Sequence, residues 1–214
     1  MHALAIPDSW RECQAVANAP ELQQDRAFQT RAQILEAAAE LFAVSGFAGT
    51  SLKQVAEGAG VTKGALYFHY QSKERLAAAV VAAHYARWPR LLEAMAGSGF
   101  GPFDTAIELL NRAALAFRDD VIVRGGARLQ IERSLIAAPL PLPYVGWTQV
   151  LTELLTQAEE MGQLRPGVDP ASSARILVSS FFGMQHVSET LHDRGDIVER
   201  WQDMCDVFVP AWRA

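Results

Sequence analysis

Three helix-start signals follow one another closely in residues 51–72, and they constrain the local fold more than any other feature of the chain. Ser51 and Gln54 have the spacing of a capping box, and a pair of glycines soon afterwards ends the helix that they begin. Thr62 caps a second short helix, and Ser72 caps a longer one. The segment is therefore predicted to be a short helix, a glycine-containing turn and another short helix.

The segment before these signals has the period of a longer helix. Its apolar residues recur on one face, and Gly46 follows them as a left-handed stop. The face consists of Ile34, Leu35, Ala38, Leu41 and Phe42. Placed before the two short helices, this helix completes an arrangement of the helix-turn-helix type.

The rest of the chain is predicted to be helical as well. Apolar stripes at helical spacing recur from Ile107 to Phe208, and Asp169 followed by Pro170 is a helix start. Asp196 is expected to cap the last helix. No convincing β-strand and no internal repeat is found, so the predicted fold class is all-α, with about nine helices.

These elements divide the chain into three parts. Residues 1–24 are expected to form a loosely ordered arm, and a short helix around residues 10–16 is the alternative. Residues 25–72 are predicted to form a three-helix helix-turn-helix domain. Residues 73–214 are predicted to form a larger helical body.

Composition excludes several classes of protein. Half of the 214 residues are hydrophobic, so a core is available. No apolar run approaches the roughly 18 residues that a membrane span needs, and no signal-peptide pattern is found. We therefore expect a cytoplasmic protein without a membrane partner. The two cysteines lie far apart and zinc-ligand spacing is absent, so no disulfide framework, metal or cofactor is expected.

The distribution of charge matters more than the net charge of −5. Residues 21–75 carry six basic and six acidic residues, whereas residues 76–214 carry 12 arginines and 16 acidic residues. From Lys53 to Arg75 the basic residues outnumber the acidic ones four to two. The excess of acid therefore lies in the body and does not exclude a nucleic-acid partner for the helix-turn-helix segment.

The stretch GVTKGALYFHY, residues 60–70, combines a cation, a glycine and several rings. In a helix-turn-helix the second helix lies in the DNA major groove, with its first residues at the base edges. Lys63 stands there and can donate to guanine, while Gly64 allows close backbone approach. Core packing is the preferred interpretation for Leu66 and Tyr70.

Other residues near this helix are predicted to complete the DNA contact. Phe68 can touch a thymine methyl, Tyr67 and His69 can reach phosphates, and hydroxyl and ammonium groups around them can position the backbone. Packing within the small module is the alternative for the rings. The predicted DNA-binding residues are Thr50, Ser51, Lys53, Thr62, Lys63, Gly64, Tyr67, Phe68, His69 and Lys73.

The same stretch carries a resemblance to a known family. Residues 26–76, which include TRAQILEAAAELFAVSGFAGTSLKQVAEGAGVTKGALYFHYQSKERL, resemble without a gap the DNA-binding domain of TetR-family repressors. The resemblance implies a homodimer that binds a pseudo-palindromic double-stranded operator and is released by a small molecule in the body. The arm of residues 1–24 departs from the shorter members of the family.

Segments of the body are similar to one branch of that family, the γ-butyrolactone receptors, and in particular to the methylenomycin furan receptor type. The segments are GARLQIERSLIAAPLPLPYVGW, SSFFGMQHVS and HYARWP. Receptors of this branch control antibiotic biosynthesis in filamentous actinobacteria. The similarity implies an autoregulator ligand, either an alkyl furan carboxylate or a γ-butyrolactone.

The resemblance also implies ligand-binding residues. Tyr85, Gln130 and Tyr144 would donate hydrogen bonds to the ligand, and three donors favour a furan carboxylate over a neutral lactone. Apolar side chains would enclose the alkyl chain. The full set is Tyr85, Leu110, Gln130, Tyr144, Trp147, Phe181 and Gln185. Ordinary core packing is the alternative for Leu110 and Phe181, and a surface position is the alternative for Gln130.

Pro89 lies inside the helix predicted from Ser72 to about Met95. It cannot donate to the carbonyl of Tyr85, so a kink is expected there, and ligand pressing on Tyr85 is expected to tilt the lower half of the helix.

One further surface and three rival functions follow from the body. The last two helices carry Phe181, Met184, Val187, Trp201 and Phe208, which predict a two-fold dimer built on a four-helix bundle. The rival functions are a regulator of efflux, a pseudo-receptor with a degenerate pocket and, least favoured, a lactone-processing enzyme. No catalytic motif accompanies the histidines that an enzyme would need.

Overall fold

A computed structural model describes residues 6–17, 25–95, 97 and 99–214. Within these ranges the protein is almost entirely helical, and an isolated β-bridge joins Leu164 to Arg213. The all-α prediction is confirmed. The helices are α1 (Asp8–Ala17), α2 (Asp25–Gly49), α3 (Leu52–Gly58), α4 (Lys63–His69), α5 (Lys73–Tyr85), α6 (Arg87–Met95), α7 (Pro102–Asp119), α8 (Val121–Ile131), α9 (Val145–Glu160), α10 (Pro170–His192) and α11 (Ile197–Trp212), with a 3-10 turn at Arg133–Leu135.

The helices belong to two compact units. The first, the N-terminal unit, contains Ser9–Pro89 and Asp120–Leu142. The second, the C-terminal unit, contains Arg90–Asp119 and Pro143–Ala214. No helix in the described ranges is long and apolar enough to cross a membrane. The predicted division at residue 72 is a division of function, and it stays a prediction.

The helix-turn-helix forms as its capping signals predict. The Ser51 hydroxyl accepts from the Gln54 N–H at 3.3 Å, and the Gln54 side chain accepts from the Ser51 N–H at 2.9 Å, which completes the capping box. Thr62 accepts from the Ala65 N–H at 3.1 Å and begins α4. These bonds fix the starts of both short helices, so local sequence determines where each one begins.

Two helices differ from the prediction. Helix α2 already begins at Asp25, and the predicted stop at Gly46 is a left-handed break (φ 67°) inside the helical run to Gly49. The helix predicted from residue 72 to about 95 is two helices, which meet at Ala86. Because Pro89 has no N–H for the carbonyl of Tyr85, the helical ladder ends there.

The ends of the chain show two further differences. Part of the expected arm is helical, as the alternative for residues 10–16 proposed, and Trp10 of α1 is buried. The remainder of the arm, residues 1–5 and 18–24, lies outside the described residues. Asp196 precedes α11, but its carboxylate makes no cap. It accepts instead from Ser188 at 2.5 Å and Arg200 at 2.6 Å.

Helix α8 is the central element of the N-terminal unit. It packs on both α2 and α5, and two consecutive glycines make the contact close. A β-carbon on Gly125 would lie 2.5 Å from the Ala39 carbonyl oxygen, and one on Gly126 would collide with His84. The first contact is backbone against backbone and cannot yield by a rotamer change.

His84 is buried between α5 and α8. Its Nδ1 lies 3.1 Å from the Val123 carbonyl oxygen, which requires the tautomer that carries the proton on Nδ1, and the Trp88 ring packs edge-on at 5.0 Å. Burial lowers the pKa of His84 to about 4, against the smaller opposing effect of the Val123 hydrogen bond. The residue is therefore neutral at the junction of the two helices.

The C-terminal unit packs α7, α9, α10 and α11 around aromatic rings. Phe181 of α10 lies 5.9 Å from Phe117 of α7 and 5.4 Å from Trp201 of α11, measured between ring centroids. Edge-to-face pairs at these distances add to the stabilisation that comes from burial. Rings from three helices therefore form the centre of this unit.

We predict that Gly125→Ala destabilises the protein by about 1–3 kcal/mol, because the added methyl group forces the α2 and α8 backbones apart. Urea unfolding followed by circular dichroism measures the change. Gly58→Ala is the control, since its β-carbon would lie 3.7 Å from Ala37, an ordinary contact. Equal stability of the two variants would contradict the close packing of α8.

Stability is also predicted to depend on pH through His84. Its folded-state pKa, about 4, is below the usual value of 6.5, so the unfolded chain takes up a proton first as the pH falls. Relative to His84→Asn, the wild type should lose about 3 kcal/mol of unfolding free energy between pH 6.5 and pH 4. Parallel curves for the two proteins would show that His84 is not the titrating group.

Candidate nucleic-acid interface and effector-binding residues

Helix α4 presents a mixed cationic and aromatic face to solvent. Lys63 and Gly64 are exposed at its first turn, and the exposed fraction is 42% for Tyr67 and 80% for Phe68. Leu66 and Tyr70 on the opposite side are buried, as expected of core residues. An aromatic ring left this exposed on a short helix is typical of a contact surface.

The cation and the rings of α4 lie close enough to act together. Lys63 Nζ is 5.7 Å from the centroid of the Tyr67 ring, which keeps the ammonium group beside the exposed face. Phe68 packs edge-on against His69 at 5.2 Å, and burial lowers the pKa of His69, with a smaller contribution from Arg31. The first turn of α4 thus offers a donor for base edges beside apolar ring surface.

The residues predicted to hold the DNA backbone fall into two groups. Ser51 and Thr62 are exposed, and their hydroxyls cap helices α3 and α4. Lys53 is exposed and lies 3.7 Å from Glu57 in an i,i+4 pair, so it can turn to a phosphate at little cost. All three stand where phosphate contacts at helix N-termini are expected.

Thr50 and Lys73 are instead engaged within the protein. Thr50 is buried, and its hydroxyl donates to the Gly46 carbonyl at 2.8 Å. Lys73 Nζ donates to the carbonyls of Phe47 at 2.8 Å and Thr50 at 3.0 Å, and it lies 4.3 Å above the Phe47 ring. These side chains hold the turn before α3, and the phosphate contacts predicted for them stay predictions.

Tyr85 and Gln130 meet inside the N-terminal unit. Both are buried, so Gln130 is not the surface residue that the alternative proposed. Gln130 Nε2 donates to the Tyr85 hydroxyl at 3.0 Å and to the Pro141 carbonyl at 3.3 Å. Within the described residues, Gln130 Oε1 is buried and accepts no hydrogen bond. A buried acceptor without a donor is costly, which makes this oxygen a candidate ligand contact.

Tyr144 and Trp147 meet at one ring in the C-terminal unit. Tyr144 adopts a left-handed conformation (φ 68°) at the start of α9, and 42% of it is exposed. The Phe182 ring lies 4.7 Å from Tyr144 and 6.0 Å from the buried Trp147. A surface groove on the outer side of α9 includes Tyr144 but not Trp147.

The remaining predicted ligand residues are buried in the same unit. Leu110 and Phe181 are completely buried, and Phe181 packs against Phe117 and Trp201, as the core alternative requires. Gln185 is buried, and its Nε2 donates to Glu189 at 3.2 Å. The ligand contacts predicted for these three residues stay predictions.

Phe182 is a residue that sequence reasoning missed. It contacts Tyr144, Trp147, Phe181 and Phe117, so it links more of the predicted aromatic residues than any member of the predicted set does. Periodicity selected Phe181 as the inward ring of the FF pair and left its neighbour out. The helical spacing of three residues between Phe182 and Gln185 was the available signal.

Two family models match most of the chain. Residues 34–80 match the model of bacterial regulatory proteins of the tetR family, and residues 105–212 match a tetracyclin repressor-like C-terminal domain. The chain belongs to the TetR family of regulators. The described residues contain no group of three or more His, Cys, Asp or Glu placed to hold a metal ion. The family consists of regulators, which sets the enzyme alternative aside.

Relatives of this chain include known receptors. One relative is the protein in a solved structure that concerns the molecular basis for control of antibiotic production by bacterial hormones. This chain is 57% identical to it, the match covers 90% of this chain and 100% of that one, and the TM-score is 0.82. This chain is 32% identical to CprB of Streptomyces coelicolor in complex with its operator, covering 88% and 90% with a TM-score of 0.79. It is 34% identical to the A-factor receptor protein of Streptomyces griseus over 84% of this chain and 64% of that protein.

We predict that Lys63→Ala weakens operator binding by about 1–3 kcal/mol and relaxes the preference at one base position, because a base-edge donor is lost. Binding to a panel of operator variants in a mobility-shift assay measures both effects. Lys53→Ala is the matched control and should weaken binding to all sequences equally. Unchanged affinity and selectivity of Lys63→Ala would exclude a base-reading role.

Proposed function

We propose that the protein is a ligand-responsive transcriptional repressor. It binds a pseudo-palindromic operator as a homodimer, and a small autoregulator releases it from the DNA. The exposed face of α4 and the relative that is bound to its operator support the DNA-binding half of this proposal. The relative whose structure concerns hormone control of antibiotic production supports the ligand half. As a DNA-binding regulator it would act in the cytoplasm.

The observation that carries the ligand half is the buried acceptor Gln130 Oε1. Because the amide nitrogen of Gln130 is already shared between Tyr85 and Pro141, the group that remains for a ligand is the oxygen. An effector that satisfies it must therefore present a donor such as a hydroxyl group. This changes the sequence-based expectation, in which Gln130 was to donate to the ligand.

The proposed effector class has to supply this donor group. We propose an alkyl furan carboxylate that also carries a hydroxyl group, with a γ-butyrolactone of similar substitution as the second candidate. The furan is favoured because hydrogen-bond donors favour a carboxylate over a neutral lactone. Tyr144 is half exposed and packed on Phe182 in the C-terminal unit, so its phenol is available as such a donor. The genes under control are proposed to direct specialised metabolism, in keeping with the antibiotic-control relative.

Homodimer formation is proposed from one face of α10. Exposed apolar and small residues recur along it at helical spacing, and an apolar residue of α11 is exposed too. The exposed residues are Ile176, Gly183, Val187, Leu191 and Val207, and Ser180 on the same face of α10 is half-buried. Phe181, Met184 and Trp201, which the sequence-based dimer prediction included, are buried within the C-terminal unit and do not belong to this face.

The proposal predicts a specific effect of Tyr144→Phe. The substitution keeps the ring contact with Phe182 and removes one hydroxyl donor. We expect the response to a furan carboxylate to weaken by about 1.5–3 kcal/mol, the range for a hydrogen bond to a charged group, while operator affinity stays unchanged. Trp147→Ala is the comparison and should weaken the response to every long-chain ligand.

Effector-induced release of operator DNA is the measurement that tests the function. The protein is bound to the promoter of its own gene and titrated with an alkyl hydroxymethylfuran carboxylic acid and an alkyl γ-butyrolactone. Release by the furan acid supports the proposal, and release by the lactone alone replaces the furan with the lactone. Failure of both ligands to release a protein that binds the DNA would contradict the receptor function.

A further inference from the structure

Glu132 lies one residue beyond α8 and reaches the DNA-binding module. Its Oε2 accepts a hydrogen bond from the Phe47 N–H at 2.6 Å, across 85 residues of sequence. Its Oε1 accepts from Arg128 Nε at 2.6 Å, and the side chain is 17% exposed. A charged acceptor at this distance and burial forms a strong hydrogen bond, so the carboxylate is held from both sides.

The turn that Glu132 holds is shaped for a carboxylate. Gly46 is left-handed, with φ 67°, and a β-carbon at this position would lie 2.5 Å from Glu132 Oε1. Any other residue would therefore strain the backbone and displace the acid. Both the conformation of Gly46 and the lack of a side chain there allow the Glu132 carboxylate to approach the backbone.

Phe47 is fixed on its other side as well. Lys73 of α5 donates to the Phe47 carbonyl at 2.8 Å, and the Phe42 ring stacks on the Phe47 ring at 6.2 Å. The N–H of Phe47 is bound by an anion that directly follows α8, and its carbonyl is bound by a cation from α5. The turn that leads into α3 thus depends on both helices of the N-terminal unit that carry predicted ligand residues.

The spacing along α8 connects this turn to Gln130. Gln130 lies two residues before Glu132, and it bonds to Tyr85 of α5. The close contact of Gly125 with Ala39 fixes the other part of α8 against α2. Gln130 and Glu132 therefore lie at the same end of this segment, opposite the glycine contact, so a backbone shift at Gln130 would be passed to Glu132.

We propose that Glu132 is a positioning residue for operator binding. Its carboxylate holds the turn at Gly46 and Phe47 and so sets the placement of α3 and α4, and effector contact at Gln130 releases this hold. The inference rests on the proposed function for its effector step. The positioning step needs only the contacts of Glu132 within the N-terminal unit.

The test compares operator Kd with and without saturating effector for Glu132→Ala, Glu132→Gln and a control. Glu132→Ala should raise the Kd of the effector-free protein about tenfold, as expected for one lost hydrogen bond to a charged group, and should change the Kd of the effector-bound protein little. The ratio of the effector-bound Kd to the effector-free Kd then falls about tenfold. A purely structural role would raise both constants together and leave the ratio unchanged.

Two variants make the comparison specific. Glu132→Gln keeps an acceptor for the Phe47 N–H, so most of the wild-type ratio should return. Glu108→Ala removes a similar i,i+4 pair, with Arg112 at 2.8 Å, from α7 and should leave the ratio unchanged. Circular dichroism and solution mass confirm that each variant is folded and assembled like the wild type.

Each outcome decides one of the two proposals. The probes are an alkyl hydroxymethylfuran carboxylic acid and an alkyl γ-butyrolactone. An unchanged ratio in Glu132→Ala overturns the inference while wild-type release upholds the proposed function. If neither probe releases the wild type, the proposed function fails. The positioning role is then tested by the effector-free protein alone, and an operator Kd of Glu132→Ala equal to that of Glu108→Ala overturns it. If Glu132→Ala does not fold, Arg128→Ala replaces it, with a threefold or greater fall in the ratio expected and no fall overturning the inference.

Discussion

The backbone contact between Gly125 and Ala39 is the constraint on which the N-terminal unit depends. Because no side chain separates the two helices at this point, α8 cannot shift there without breaking van der Waals contact along α2. Gly126 repeats the condition against His84 of α5, where a neutral imidazole is bound to the Val123 carbonyl. Helix α8 is therefore packed tightly against α2, the first helix of the DNA-binding module, and against α5, the helix that follows the module.

This arrangement gives α8 two roles that its sequence position does not suggest. Its glycines anchor it, while its last turn carries Gln130 and leads to Glu132. The first of these side chains leaves a buried oxygen without a donor, and the second binds the turn before α3. Because Gln130 is a candidate ligand contact and Glu132 binds the turn before α3, a small displacement at this end of α8 can be passed to the DNA-binding helices. The contacts that connect Gln130, Glu132 and Phe47 all lie within one compact unit.

Local signals predicted the parts of the fold that local chemistry determines. The Ser51 box, the Thr62 cap and the Pro170 start all appear as expected, because each depends on residues three or four positions away. The break at Ala86 followed from Pro89 in the same way.

Long-range contacts could not be predicted from the same patterns. The engagement of Lys73 with Phe47, 26 residues away, depends on where α5 folds back. The orientation of the Gln130 amide depends on Tyr85 and Pro141, and Phe182 joins rings from three helices that no period brings together.

Hydrogen exchange at the Phe47 amide, followed during effector titration, tests the central claim most directly. The account predicts faster exchange at Phe47 when effector binds, with the capped Ala65 amide unchanged. Release of operator with unaltered protection of Phe47 would contradict it.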